Sequence, residues 1–342
     1  MKLAFAINEL RTERSGYTTT HLALRALRRG HQVWYVEVGD FALAPDGRLD
    51  AYARRLPVDR INDVEGLIAA LNATVRKKTD LSGLDALFLR NDPAPDALTR
   101  PWAQLAGVNF GRLAQQAGVV VVNSPDGLYH AINKLYLQMF PAEIRPKTLI
   151  SRDIDAIRDF IDAVGGAAVL KPLRGSGGHN VFLIRPDDKY NFKQILETVR
   201  GEGYVIAQEF LPEAEKGDTR LFLLEGEILE VDGEVAAVRR IPASGDLRSN
   251  ITAGGRAERS VTTDRMRHIA DLARNQLKAD DMFLVGVDLI GDKMVEVNVF
   301  SPGALHAAER VTGADFVTPV IEALERRVTV ARNKSGSIQA SS

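Results

Sequence analysis

The stretch VGVDLIGDKMVEVNVFSPG (residues 285–303) contains two strand-like runs around a polar Gly-Asp-Lys turn. Apolar residues alternate with polar ones in both runs, and alternation predicts strands with two different faces. A three-residue loop with a bulge pairs Ile290 with Met294. That register sets Asp288 opposite Glu296, whereas a two-residue loop puts these acids on opposite faces. We predict the three-residue loop because it alone keeps all the valines on one face.

The same register predicts a metal site on the other face of the hairpin. It gathers Asp288, Glu296 and Asn298 there. Two carboxylates and an amide oxygen form a hard-ligand set that suits Mg²⁺ held together with phosphate groups. A solvated hairpin face with ordinary surface charge is the alternative interpretation. We favour the metal site because exposed strands rarely place two acids opposite each other.

Length and composition limit the class of protein. The 342 residues predict roughly two to three domains, and 45% hydrophobic with 26% charged residues is typical of a soluble globular protein. A net charge of -1 gives no electrostatic argument for a nucleic-acid or membrane partner. The absence of cysteine excludes disulfides, thiolate metal sites and a cysteine nucleophile. With no apolar run of membrane-spanning length, we expect a cytoplasmic protein.

The order of strand-like and helix-like segments predicts an α/β protein of mixed α+β type. Strands and helices alternate through residues 1–122, which predicts a parallel sheet. We predict a helix over 123–140 within a second unit at 123–211. Antiparallel strands and the metal hairpin then make a third unit at 212–330. The polar tail at 331–342 is expected to be disordered.

A glycine-rich segment between two predicted strands is a candidate phosphate-binding lid. Its four central residues are Gly175, Ser176, Gly177 and Gly178. Successive N–H groups there can hold phosphate oxygens, although an ordinary glycine-rich hairpin turn is the alternative. Lys171 favours the lid, because a buried ammonium on an apolar strand needs an anionic partner. Lys134 interrupts the apolar face of its predicted helix, where a snorkelling surface lysine is the alternative.

Two further segments carry candidate binding groups. The strand end Gln208–Leu211, with Glu209 and Phe210 between, can hold an adenine by its edge and faces; an ordinary strand end is equally compatible. Asp218 and Arg220 follow closely enough to reach a ribose and a phosphate. The next loop concentrates three arginines that either capture carboxylates or are simply solvated, namely Arg240, Arg248 and Arg256.

Together these segments resemble the ATP-grasp superfamily and, within it, the bacterial glutathione synthetases. The order and spacing of the matching blocks carry the resemblance. The blocks are LRNDPAPD (89–96), VVNSPDGL…NKL (121–135), VLKPLRGSGG (169–178), AQEFLP…KGDTRLF (207–222), RRIP…RSN…AGGR (239–256) and VGVDLIGD…VEVNVFSP (285–302).

The resemblance implies an ATP-grasp fold behind a Rossmann-like N-terminal domain, with ATP in a cleft between the later two domains. The implied nucleotide contacts are Lys134, Lys171 and Arg220 at the phosphates, Gln208 through Leu211 at the adenine, and Asp218 near the ribose. Asp288, Glu296 and Asn298 would bind two Mg²⁺ ions, with Mn²⁺ as the other candidate ion. The implied substrate-binding residues are Arg240, Arg248, Asn250 and Arg256, the three arginines also being catalytic, with Arg90 and Ser301 at the acceptor end.

The implied activity is an ATP-dependent carboxylate–amine ligase that joins γ-glutamylcysteine to glycine through an acyl phosphate. Two alternatives stay open: a ligase for a different acid–amine pair, and a non-catalytic ATP-binding module. The first is suggested by residues 7–24, by the segment ASGDLRSN (243–250) and by Gly303, where the family usually carries other residues. The partners implied are small molecules, and family habit suggests a homo-oligomer.

Overall fold

The computed structural model describes residues 1–57, 61–175, 177–186, 191–242 and 255–339. Within these ranges the chain forms a mixed α/β structure with three larger sheets, as predicted. Three predicted site residues lie outside the described residues, namely Ser176, Arg248 and Asn250.

The N-terminal section forms one sheet with helices packed against it. Its strands are β1 (Lys2–Ile7), β2 (Gln32–Glu37), β3 (Phe41–Leu43), β4 (Leu49–Arg55), β5 (Lys77–Asp80), β6 (Ala86–Leu89) and β7 (Val120–Val122). Its helices are α1 (Thr18–Arg28), α2 (Val64–Ala73), α3 (Pro93–Thr99) and α4 (Ala106–Gln116). Strands β2, β1, β6 and β7 are adjacent and parallel, which confirms the parallel sheet. They are buried and largely apolar because parallel strands are covered on both faces.

Strands β3, β4 and β5 extend this sheet in antiparallel fashion, an extension that the sequence did not predict. The reason is their composition. Lys77–Asp80 is exposed at most positions, and Leu49–Arg55 carries three charged residues, so neither gives a clear apolar alternation.

The central section is a four-stranded antiparallel sheet in the order β10-β9-β11-β8. Its helices are α5 (Pro125–His130), α6 (Ile154–Ala163) and α7 (Phe192–Gly201). Its strands are β8 (Thr148–Ser151), β9 (Ala168–Pro172), β10 (Phe182–Ile184) and β11 (Val205–Glu209). Alternate residues of β9 and β11, such as Leu170 and Ala207, pack in one core with α6 and α7. The residues between them face the other way and remain available to a ligand.

The predicted helix over 123–140 is wrong in its second half. Helix α5 ends at His130, and a separate 3-10 turn spans Lys134–Met139. The Asn133 side chain starts this turn by accepting a hydrogen bond from the Leu135 N–H at 2.9 Å. Lys134 therefore lies at the start of a tight turn and not on the face of an α-helix.

The C-terminal section contains a sheet in the order β17-β16-β12-β18-β19, with β13 beside β12 and a small β14-β15 ribbon. Its strands are β12 (Asp218–Leu224), β13 (Glu227–Ile228), β14 (Glu230–Val231), β15 (Glu234–Val235), β16 (Ala237–Ile241), β17 (Arg256–Arg259), β18 (Leu284–Ile290) and β19 (Lys293–Asn298). Its helices are α8 (Asp264–Ala279), α9 (Leu305–Thr312) and α10 (Val317–Gln339). Each larger sheet takes its strands from one predicted unit, which supports boundaries near 122 and 211; the domain division stays a prediction.

The hairpin β18–β19 has the predicted acid pair but not the predicted loop. Asp288 is paired with Glu296, as expected, while Ile290 is paired with Lys293 and not with Met294. The loop therefore has two residues, and the register shifts beyond it, next to Val295. Moving the extra residue from the loop into the strand leaves the same two acids opposite each other.

The tail prediction is wrong for residues 331–339, because α10 continues through Gln339. Ala331, Arg332 and Lys334 are good helix formers, and Arg332 is tied to Asp85 at 2.6 Å. Among the described residues, no helix is long and apolar enough to cross a membrane.

Candidate active site

An open cleft lies between the central sheet and the hairpin β18–β19. Seven of the predicted site residues line it, namely Lys134, Lys171, Gly175, Gln208, Glu296, Asn298 and Ser301. The first four come from the central section and the last three from β19 and the residues after it. The cleft thus has cations on one wall and hard oxygen ligands on the other.

Lys171 faces the cleft because of the alternation in β9. Ala168 and Leu170 point into the core, so Val169 and Lys171 lie on the opposite face. The Lys171 Nζ donates to the Gln208 Oε1 at 3.0 Å, and the Gln208 Nε2 donates to a threonine hydroxyl of β8 at 3.2 Å. Burial lowers the pKa of Lys171 to about 8, with Glu296 acting against the shift. The ammonium is therefore largely charged at neutral pH.

Lys134 reaches the same wall from the 3-10 turn. Its Nζ donates to the Gly175 carbonyl at 2.7 Å and to the Pro172 carbonyl at 3.3 Å. Its backbone N–H donates to the Leu173 carbonyl at 3.0 Å. Burial lowers the pKa of Lys134 as well. Because these hydrogen bonds go to neutral oxygens, both lysines keep their charge directed at the cleft, where Glu296 acts on them and an anionic ligand would stabilise them further.

The glycine-rich segment adjoins these lysines. Gly175, Gly177 and Gly178 have φ angles of +113°, +68° and +77°, in the region that favours glycine. Gly177 is exposed and Gly178 partly exposed. This backbone is compatible with the predicted phosphate lid, which stays a prediction.

Behind the other wall, Asp288 is held by two arginines. Arg220 forms a bidentate pair with it, Nε to Oδ1 and Nη2 to Oδ2, both at 2.8 Å. The Arg240 Nη2 lies 2.7 Å from the Asp288 Oδ2. Burial alone would raise the pKa of Asp288, but the charges of Arg220 and Arg240 hold it well below its usual range. Asp288 is therefore an anion at every physiological pH.

Arg240 also binds Asp218, and the backbone before Asp218 fixes this contact. The Arg240 Nε and Nη2 donate to the two Asp218 oxygens at 2.6 and 2.7 Å. Gly217 has φ +92°, and a Cβ there would lie 2.1 Å from the Arg240 carbonyl oxygen. A larger residue at 217 would separate the two strands. Asp218, Arg240, Asp288 and Arg220 thus form a continuous buried chain of charges behind the cleft wall.

The donor set fits a divalent cation, with one adjustment. In the part of the chain that the structure describes, the Glu296 side chain forms no hydrogen bond or ion pair; burial and the charge of Asp288 raise its pKa, while Lys134 and Lys171 oppose the shift. Asn298 donates through Nδ2 to Asp288 at 3.3 Å, which leaves its amide oxygen as a ligand. Glu296 and Asn298 therefore fit as they stand. Asp288 joins them once one arginine contact moves aside.

Arg90 lies beneath the loop after β19. Its side chain is 3% exposed and donates from Nη2 to the Pro302 carbonyl at 3.0 Å and from Nε to a threonine of α1 at 3.1 Å. Burial lowers the pKa of Arg90 to about 10, with Glu13 opposing. Arg220 likewise donates to the Gly303 carbonyl at 3.4 Å. The loop is held through its backbone.

Several predicted residues do not line the cleft. Arg256 is exposed on β17 and pairs with Glu258 at 2.5 Å. The Glu209 Oε1 accepts a hydrogen bond from the Lys147 N–H at 2.7 Å. The other predicted and described residues outside the lining are Arg90, Gly177, Gly178, Phe210, Leu211, Asp218, Arg220, Arg240 and Asp288. Their roles stay predictions.

Sequence reasoning missed a residue that fixes the hairpin in place, Asn123. Its Oδ1 accepts from the N–H groups of Phe283 and Leu284, both at 2.8 Å. Its Nδ2 donates to the carbonyls of Leu284 at 3.1 Å and Val299 at 2.5 Å. It also missed Asp92 and Arg174, which line the cleft. Asp92 caps the helix that begins at Pro93, and this structural role explains the residue without a ligand. Arg174 could have been predicted from its position next to the glycine-rich segment.

Comparison with known proteins assigns the chain to a family. The model of the prokaryotic glutathione synthetase N-terminal domain matches residues 1–129, and that of the prokaryotic glutathione synthetase ATP-grasp domain matches residues 133–313. A glutathione synthetase of Synechococcus elongatus is 34% identical over 338 residues, covering 96% of this chain and 99% of that protein. One of Shewanella oneidensis is 33% identical over 309 residues, covering 90% and 92%.

Solved structures confirm the fold. The D-cycloserine synthetase DcsG aligns with a TM-score of 0.66 at 14% identity, covering 96% of this chain and all of that one. The ATP-grasp ligase PsnB aligns with a TM-score of 0.60 at 18% identity, covering 95% and 99%. The predicted ATP-grasp fold is thereby confirmed. With both domain models matched along the chain, the protein belongs to the prokaryotic glutathione synthetase family of ATP-dependent ligases.

Proposed function

We propose that this protein joins γ-glutamylcysteine to glycine, converting ATP to ADP and phosphate. The observation that carries the proposal is the cleft itself. Lys134 and Lys171 line one wall, and the carboxylate of Glu296 with the amide of Asn298 lines the other. A bound nucleoside triphosphate requires cations on one side and metal-ligating oxygens on the other. The full-length relatives are glutathione synthetases, which supports these substrates.

In the first step the C-terminal carboxylate of γ-glutamylcysteine attacks the γ-phosphorus of ATP. The bond to the β-γ bridging oxygen breaks, and ADP leaves with that electron pair. Lys134 and Lys171 hold the phosphate oxygens and reduce the repulsion between the carboxylate and the phosphoryl group. Their positions are fixed in advance by Gly175 and Gln208. Little reorganisation is then needed as charge develops.

In the second step the neutral amine of glycine attacks the acyl carbon. The tetrahedral species expels phosphate, and the amine loses a proton as the amide forms. Water must be excluded, since it would hydrolyse the acyl phosphate. We assign that exclusion to the glycine-rich segment and to the sequence segment that contains Arg248 and Asn250, which lies outside the described residues. These two residues, with Arg256, are proposed to bind substrate carboxylates. Arg240 is proposed to act by holding Asp218 and Asp288.

Glu296, Asn298 and Asp288 are the residues that would hold two Mg²⁺ ions, or Mn²⁺ in their place. Bound there, the ions supply charge neutralisation and alignment of the ATP phosphates. A cytoplasmic location and a homo-oligomeric state accompany the proposal as predictions.

The test is phosphate release from ATP by the full-length protein, with γ-glutamylcysteine and glycine each omitted in turn. We expect ADP and phosphate in equal amounts, sustained only when both substrates are present, with glutathione identified by mass spectrometry. Turnover with another acid–amine pair and none with this one would overturn the substrate assignment while keeping the ligase. Nucleotide binding without turnover on any pair would overturn the ligase assignment.

A further inference from the structure

Two histidines and a glutamate meet where α1 packs against α9, outside the nucleotide cleft. The rings of His21 and His306 are stacked, with centroids 3.8 Å apart and planes 15° from parallel. One ligand atom from each histidine and from Glu309 lies within 4.8 Å of the other two. All three side chains are partly buried. None of them has a role in the ligase reaction proposed above.

The outer contacts of this cluster aim its ligand atoms at one another. The Glu309 Oε1 accepts from the N–H groups of Phe316 and Val317 at 2.9 and 3.0 Å. This fixes the carboxylate with its other oxygen, Oε2, 3.3 Å from the His306 Nδ1. His21 hydrogen-bonds to the backbone of Ser15. A backbone contact from one ring nitrogen is the usual way in which a protein orients a metal-binding imidazole.

The surroundings of His21 favour its neutral imidazole. Burial and the neighbouring His306 lower the pKa of His21 to about 4. The neutral imidazole is the form that binds metal, because it has a lone pair available on a ring nitrogen. The His306 side chain is 41% exposed, so the cluster opens to solvent on one side. That side provides both an entry path and room for a water ligand.

We propose that His21, His306 and Glu309 form a binding site for one divalent transition-metal ion, with zinc as the best-suited ion. Two imidazole nitrogens and one carboxylate oxygen with an open fourth position are a zinc ligand set, at distances of roughly 2.0–2.2 Å. The near-parallel rings must splay apart slightly to share one ion. The borderline-soft nitrogens distinguish this site from the all-oxygen set of Glu296 and Asn298.

The site would join the N-terminal section to the acceptor end of the cleft. His21 belongs to α1, whose first residue Thr18 accepts a hydrogen bond from the Leu305 N–H at 3.4 Å. His306 follows the loop whose carbonyls are held by Arg90 and Arg220. An ion here would connect α1 directly to the helix that continues this loop.

The test uses untagged, full-length protein treated with EDTA and titrated with Co²⁺ in a large excess of Mg²⁺, which saturates the oxygen site. We expect a ligand-field absorption band that saturates at one Co²⁺ per chain and disappears when Zn²⁺ is added. Zn²⁺ should also raise the melting temperature of the protein. His21→Ala and His306→Ala should each weaken binding by more than about tenfold. Glu309→Gln, which keeps the contacts to Phe316 and Val317, should weaken it too.

His268→Ala is the matched control, since this exposed histidine pairs with Glu143 far from the cluster. It should bind Co²⁺ like the wild type. Circular dichroism of each metal-free variant establishes that it is folded. Absence of the band in folded wild-type protein would overturn the site, as would a band unchanged in folded His21→Ala and His306→Ala. Both results are independent of ligase activity, so they would leave the proposed function untouched.

Discussion

At the residue scale, Lys171 combines a required charge with a costly position. Its side chain faces the cleft from β9, and burial brings its pKa down to about 8. The ammonium form, which binds phosphate, is present below that pH and lost above it. We therefore expect kcat/KM for ATP to fall as pH rises through about 8, because this parameter reports the free enzyme. Lys171→Arg should move that decline to higher pH, measured by phosphate release; an unshifted limb would contradict the assignment.

The same residue should weaken the fold. At pH 7 the half-buried ammonium loses part of the hydration that the unfolded chain retains, so Lys171→Met should raise the free energy of unfolding by about 1 kcal/mol while abolishing turnover. Between about pH 8 and the normal lysine pKa, the unfolded state binds more protons, so wild-type stability rises and the difference shrinks. Urea unfolding at pH 7 and pH 9.5 measures this. Lys193→Met, at an exposed lysine, should show neither effect.

Glu296 tests the metal assignment. Glu296→Gln keeps the shape of the side chain but removes the charge required of a metal ligand. We expect turnover to fall by more than about 100-fold. The free energy of unfolding should equal or exceed that of the wild type, because the charge of a half-buried carboxylate beside Asp288 is removed. Phosphate release and urea unfolding measure the two effects. Glu197→Gln, an exposed control on α7, should be active. Wild-type turnover in Glu296→Gln would disprove the role of this ligand.

At the element scale, strands β12 and β16 must approach closely for Arg240 to bind both aspartates. Gly217 permits this, since its φ is +92° and a Cβ would contact the Arg240 carbonyl at 2.1 Å. Gly217→Ala should cost more than about 2 kcal/mol of stability and reduce activity. Gly233→Ala is the control: its φ is +81°, with nothing within 4 Å of its Cβ. It should cost about 1 kcal/mol from backbone strain alone. Equal losses, measured by urea unfolding, would exclude the clash.

The elements also show what the sequence could predict. The alternation around Asp288 and Glu296 predicted their pairing correctly, because burial of one face determines the register. The alternation could not show whether the extra residue of β19 lies in the loop or in a bulge, because both arrangements give the same pairing farther along the strands. The turn at Lys134 was missed for another reason. Asn133 caps a new turn using its side chain, and this competes with a helix that the apolar pattern alone would continue.

At the scale of the whole molecule, Asn123 connects β7 of the first sheet to β18 of the third. Its amide makes four hydrogen bonds to backbone groups of Phe283, Leu284 and Val299. Asn123→Ala would leave these groups buried without partners, at about 1–3 kcal/mol each. We expect a loss of at least 3 kcal/mol in the free energy of unfolding, measured with urea. Asn72→Ala, on the exposed face of α2, should change it by under 1 kcal/mol; a similar small change at Asn123 would contradict this role.

The candidate site also shows which parts of the structure the sequence alone could predict and which it could not. Lys171, Gln208 and Glu296 were predictable because each breaks a local apolar pattern, and the structure brings them to one cleft. The chain of paired charges formed by Asp218, Arg240, Asp288 and Arg220 was not predictable. Arg240 lies on β16 and Asp288 on β18, and these two strands are brought together only by β12, which lies between them. Sequence spacing gives no information about which charges are paired across a sheet.

The loop after β19 carries one more consequence. Arg90 and Arg220 hold it through the carbonyl oxygens of Pro302 and Gly303, and every amino acid provides a carbonyl. The side chain at 303 can therefore be exchanged without loosening the loop, whereas Ala304 has φ +76°, which disfavours β-branched residues there. On the proposed function, we expect selection or engineering at position 303 to alter the preference for the incoming amine. The phosphate-handling machinery would not need to be rebuilt.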